Sequence, residues 1–85
     1  FILSSVYPNP FNPIANIDIS IVEDIQVSMI VYDINGKEVS TLFNGIMSTG
    51  YHSIKWNAEM FSSGVYFLKV INGNDMHVKK LILMK

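Results

Sequence analysis

The sequence has no cysteine, which removes disulfide frameworks, thiolate zinc sites and cysteine nucleophiles together and leaves the redox compartment open. Charge is scarce as well: six lysines against seven carboxylates give a net charge of −1. Nucleic acid and anionic membrane surfaces are held mainly by neutralising their charge, so a chain without a basic excess is a poor match for either. Histidine occurs only at positions 52 and 77, and the carboxylates stand singly apart from Glu23-Asp24. No spacing among them resembles a metal site or a tuned acid–base pair. No serine sits in a nucleophile elbow, and no glycine-rich loop leads into a helix. Asp33-x-Asn35 opens like a calcium loop, but its glycine arrives too early and no glutamate closes it. We therefore expect no catalysis, no cofactor and no metal. No apolar run approaches the roughly 20 residues that a membrane-spanning helix needs. The chain opens on Phe1 with no basic region followed by an apolar one, so it is expected to be a piece of a longer precursor with any export signal upstream.

Proline is confined to one place. Pro8, Pro10 and Pro13 all fall within Tyr7-Pro8-Asn9-Pro10-Phe11-Asn12-Pro13. Each fixes its own φ near about −65° and pushes the preceding residue towards extended backbone, so the heptad is neither helix nor central strand. Two large rings, Tyr7 and Phe11, bracket the prolines. They imply a stiff connector lying on the core, either as a structured turn or as a signal read directly by another molecule.

What remains is apolar and alternating. With 49% hydrophobic and 15% charged residues, the chain is far from the disordered class, and its 85 residues suit one domain, 1–85, near the small end of what buries its own core. Residues 16–21 alternate polar and apolar without exception, the period of a strand with one dry face. The alternation resumes over 25–33 after a corner at Val22-Glu23-Asp24. Asn35-Gly36 signals a tight hairpin in which both residues take positive φ, returning through a strand over 37–43. A loop over 44–50 crosses to a strand over 51–56, another strand covers 65–71, and a turn at Asn72-Gly73-Asn74-Asp75 precedes a last strand over 76–84. With residues 2–7, that makes about seven strands and no helical period.

This pattern predicts an all-β, immunoglobulin-like antiparallel β-sandwich. The expected core is Ile17, Ile19, Ile21, Val27, Met29, Val31, Ile54, Trp56, Tyr66, Leu68 and Val70. His52 shares the face of Trp56 and reads as a packed, hydrogen-bonded side chain. Tyr66, following Ser63-Gly64, is placed to return its hydroxyl to the main chain in a tyrosine corner.

Five stretches in order carry a family likeness. They are Tyr7-Pro8-Asn9-Pro10-Phe11; the run from Val27 to Tyr32 with Asp33, Gly36 and Val39; Gly50, His52 and Trp56; Ser63-Gly64-Val65-Tyr66-Phe67; and Lys80, Leu83 and Lys85. Together they resemble the C-terminal sorting domain of cargo proteins exported by the type IX (Por) secretion system, itself similar to the immunoglobulin-like domain of flagellar hook-capping proteins. The compact 21–25 corner departs from the longer spacer expected of that family.

The resemblance implies a cargo domain upstream, recognition by the outer-membrane secretion machinery, and removal by a sortase-like peptidase at the cell surface. It also implies that the recognition elements are Tyr7, Pro8, Asn9, Pro10 and Phe11 with Lys79, Lys80 and Lys85. Two other readings use the same strands. In one, residues 1–7 are donated to the edge of the next copy, building a homo-oligomeric fibre by strand addition. In the other, exposed aromatics such as Tyr51 and Phe67 form a carbohydrate-stacking platform.

Overall fold

The structure is a computed structural model describing residues 2–85, with side chains described from Ser5 onward. Among the described residues there are seven strands and no helix: β1 (Ile2–Tyr7), β2 (Ile14–Ile21), β3 (Ile25–Tyr32), β4 (Glu38–Met47), β5 (Gly50–Asn57), β6 (Gly64–Asn72) and β7 (Asp75–Leu83). They form two antiparallel sheets, β1-β2-β5 and β4-β3-β6-β7. The expected all-β sandwich is what is found. Relative to the constant-type immunoglobulin order, the fourth strand lies beside β3 rather than beside β5.

The sheets close on each other because alternation gives each a dry face. In β2, Ile17, Ile19 and Ile21 point inward; in β3, Val27, Met29 and Val31; in β6, Tyr66, Leu68 and Val70. All are buried, and Trp56 of β5 joins them. Ile54, expected in the core, is only half-buried and packs against its margin. Val6, Phe11, Ala15, Met47, Ala58, Leu81 and Leu83 complete the interior.

The turns follow local chemistry with one revision. At Asn35-Gly36 only Gly36 takes positive φ, +80°, and among the described residues no non-glycine residue does. The Gly36 amide donates to the Asp33 carbonyl at 3.0 Å, and the Asp33 amide to the Lys37 carbonyl at 2.9 Å. This is a three-residue loop with glycine in the left-handed position rather than a two-residue turn. The Asp33 carboxylate accepts the amides of Asn35 and Lys37 at 2.9 and 3.0 Å, so it caps the turn. Gly73, at φ +57°, fills the first central position between paired Asn72 and Asp75.

Strand β4 runs to Met47, so the loop expected over 44–50 shrinks to Ser48-Thr49. A register shift lets Phe43 face Met29 and Thr41 face Ile30, which leaves Leu42 as an extra residue. Leu42 and Phe43 are then both half-buried, and the period of two is lost at that point. Gly45 was a turn signal only in sequence; in the fold it pairs with Val27.

Both short crossings between sheets are tied together. The 22–24 corner carries the chain from β2 to β3, and Ser48-Thr49 carries it from β4 to β5. The Asp24 carboxylate accepts the Thr49 amide at 2.8 Å and the Thr49 hydroxyl at 3.0 Å. That bridge takes the place of the longer spacer expected between β2 and β3.

Strand β1 is paired within its own chain, and Phe1, the first residue of the expected donor segment, lies outside the described residues. The strand lies antiparallel to β2 from Ile2 opposite Ser20 to Tyr7 opposite Asn16. The donor segment of the fibre reading is used within its own sheet.

Candidate functional site

The proline heptad leaves β1 in one sheet, visits the edge of the other, and returns to β2. Its path is set by which donors it lacks. Pro8 and Pro10 have no amide to offer, so main-chain pairing with a strand fails at both. Asn9 between them makes good the loss. Its side-chain amide donates to the Lys80 carbonyl at 2.9 Å, and its Oδ1 accepts the Ile82 amide at 3.0 Å. An asparagine side chain carries the same donor and acceptor as a peptide unit, so here it stands in for one rung of a ladder.

Phe11 takes over with its own main chain. Its amide donates to the Ile82 carbonyl at 2.9 Å, and its carbonyl accepts the Met84 amide at 3.0 Å, a parallel bridge opposite Leu83. The Pro13 carbonyl then accepts the Ala58 amide at 2.8 Å.

Phe11, which the family resemblance places among the recognition residues, is 2% exposed. Its ring meets Trp56 at a centroid distance of 5.5 Å, and Trp56 also meets Phe61 and Tyr66 at 5.6 and 5.3 Å. A large apolar ring held by two main-chain bonds beside a tryptophan is an anchor, and a partner cannot touch it without opening the core. The Tyr66 hydroxyl donates to the Ser62 carbonyl at 2.6 Å, the corner read from sequence. His52 Nε2 lies 2.7 Å from the Ser48 carbonyl and is half-buried, as expected of a packed histidine.

The remaining expected residues are exposed. Pro8, Asn9 and Pro10 form the outer surface of the heptad. The Tyr7 hydroxyl lies 3.5 Å from the Asp18 carboxylate, whose hydrogen bond and charge hold it above the ordinary phenol value. Lys79 and Lys80 stand on the outer part of β7. Lys85 is fastened at the end of the chain, with its amide 3.0 Å from the Ser63 hydroxyl and its ammonium group on the Glu59 carbonyl. The structure thus brings Asn9, Pro10 and Phe11 against Lys80 and the end of β7. Tyr7 belongs instead to the neighbourhood of Asp18. Sequence reasoning missed the Asn9 bridge, although an asparagine between two prolines was the available signal.

Among the described residues, no group of three or more histidines, cysteines or carboxylates stands where it could hold a metal ion. The carbohydrate platform also fails on geometry. Tyr51 points outward from β5 and Phe67 outward from β6, which are in different sheets, so the two rings lie on opposite outer faces.

A two-sheet sandwich whose surface joins a proline tract near one end of the chain to the strand at the other defines a class of recognition module. The secretion system C-terminal sorting domain family matches residues 5–84, and the chain belongs to that family. The matched span takes in both the heptad and β7. Domains of this type IX secretion family mark proteins for export to the cell surface or extracellular space. No curated protein is similar enough to this chain to add a second comparison.

Proposed function

We propose that this chain is the non-catalytic sorting domain of a longer secreted precursor, and that the heptad and the end of β7 form one composite face that the type IX machinery reads. In this reading Pro8, Asn9, Pro10, Lys79, Lys80 and Lys85 are the contact surface, Tyr7 flanks it, and Phe11 holds it to the core. The carrying observation is the four-bond suture of Asn9 and Phe11 to Lys80, Ile82 and Met84, which makes one surface of segments some seventy residues apart. The partners are a cargo domain upstream, the outer-membrane translocation machinery and a sortase-like peptidase that releases the domain as cargo reaches the surface. Binding energy at such a face comes from a few well-placed contacts rather than from total area.

The test is a fusion of residues 1–85 to a periplasmic reporter in a host that has this secretion route. The intact fusion reaches the surface; Asn9→Ala, with the fold retained by circular dichroism, lowers delivery. A folded wild-type fusion that stays in the periplasm would end this reading.

A further inference from the structure

The heptad covers only half of the outer edge of β7. We infer that the other half, residues 76–80, accepts an extended acidic strand from a partner protein. This rests on the reading that the β7 face is what the export machinery recognises, and it specifies how.

Which main-chain groups of Met76, Val78 and Lys80 face outward follows from strand periodicity. β7 lies at the edge of its sheet, with β6 paired along its whole length on one side. On the other side the heptad engages the Lys80 carbonyl, both main-chain groups of Ile82 and the Met84 amide. Main-chain groups that point away from β6 recur every second residue. The amide of Lys80 and the main-chain groups of Val78 and Met76 therefore point the same way, and no described residue bonds them. Asparagine and phenylalanine seal the edge from the Lys80 carbonyl onward; among the described residues, none bonds the Lys80 amide or the outward main-chain groups of Val78 and Met76.

The side chains along this half say what fits. Met76 and Val78 are 58% and 57% exposed. Val78 also borders a shallow, largely apolar depression of about 300 Å³ with Tyr32, Asp33, Ile34, Gly36, Phe67 and Lys69, in which the Asp33 carboxylate is taken up by the Asn35 and Lys37 amides. A strand laid on the edge would turn alternate side chains towards that depression, which suits one apolar or aromatic anchor. Lysines supply the charge: Lys69, Lys79 and Lys80 lie on the β6–β7 hairpin against a single carboxylate, Asp75, in a chain that is otherwise net negative. Lysines on an open edge repel an identical edge, so a second copy is disfavoured, and they draw in carboxylates through charge complementarity.

The probe is a short synthetic peptide alternating glutamate and valine around one central phenylalanine, with a lysine-for-glutamate version as control, titrated into isotope-labelled chain 1–85. The acidic peptide shifts the amide resonances of Val78 and Lys80 and slows their hydrogen exchange by about tenfold or more, an effect that fades as salt rises. Val78→Pro removes an outward amide without breaking a bond to β6, and it abolishes the shifts. The double variant Lys79→Glu with Lys80→Glu leaves the backbone edge intact and abolishes them too. Both variants keep the wild-type unfolding midpoint.

Absence of shifts with the acidic peptide, equal binding of the lysine peptide, or a concentration-dependent dimer that Val78→Pro dissolves would each overturn the inference. Export of the reporter fusion is scored separately. A fusion that reaches the surface while the peptide does not bind leaves the sorting role standing and removes the edge site; a stranded fusion with peptide bound does the reverse.

Discussion

Trp56 touches three other rings, and through them it ties the heptad and the 58–63 turn to β6. Truncation to alanine would leave a cavity between Phe11, Phe61 and Tyr66, and such losses cost about 3–5 kcal/mol, a large part of the stability of a small domain. Its indole Nε1 is buried with no hydrogen-bond partner among the described residues, so Trp56→Phe gives up no bond to them. We expect Trp56→Phe to lose less than half of what Trp56→Ala loses, read from urea unfolding midpoints. Asp24 makes a different kind of contribution. Its two bonds to Thr49, the backbone one first, hold its carboxyl below the ordinary value near 3.8. A carboxyl lowered in the folded state adds stability above its unfolded value and loses it as pH falls through the folded one. Wild type and Asp24→Asn should therefore differ in unfolding midpoint at neutral pH and converge in strong acid. A gap that persists at low pH would mean that the bridge does not depend on the charge.

At the scale of the element, the heptad is a strand surrogate built where proline forbids a strand. Asn9→Ala releases the Lys80 carbonyl and the Ile82 amide to water, at about 1 kcal/mol for bonds at the surface. Amide exchange of Ile82 should accelerate, and that of Met84 less, because Phe11 still holds it. Strands were legible wherever one face was dry and one wet: β2, β3 and β6 show the period of two residue by residue. The alternation failed at Leu42-Phe43, where an inserted residue turns two neighbours half inward, and the end of β4 was hidden with it. The hairpin at 33–37 was legible as a turn but not in type, since the choice between loops depended on the Asp33 carboxylate capping two amides. The candidate site was half legible. Prolines and aromatic rings announced a tract that lies on the core. The span of β7 it would grip depends on a contact seventy residues away, which no local pattern encodes.

For the whole molecule, what matters is how few links join the two sheets. The links are short: the 22–24 corner, Ser48-Thr49 and the 58–63 turn beneath Trp56. The heptad joins β1 to β2 within one sheet and reaches the far edge of the other through hydrogen bonds alone. A chain ending at Lys80 would lose Leu81 and Leu83, both buried, along with the groups that Phe11 binds. Each lost leucine is worth about 2–5 kcal/mol, so the shortened chain should lack a cooperative unfolding transition by circular dichroism. Removal of Lys85 alone should leave that transition in place, since it breaks bonds only to Ser63 and Glu59. The layered architecture could be read from alternation and turns. The Asn35-Gly36 signal put β4 beside β3, where it lies; what could not be read was how late β4 leaves that sheet, because a two-residue crossing carries no pattern of its own.

The partners of Asn9 and Phe11 lie some seventy residues further along the chain, so the ribosome adds them well after the heptad. During synthesis the heptad has nothing to hold, and an interrupted translation product displays it unfastened. The finished surface thus acts as a completion stamp, present only on polypeptides made through to Met84.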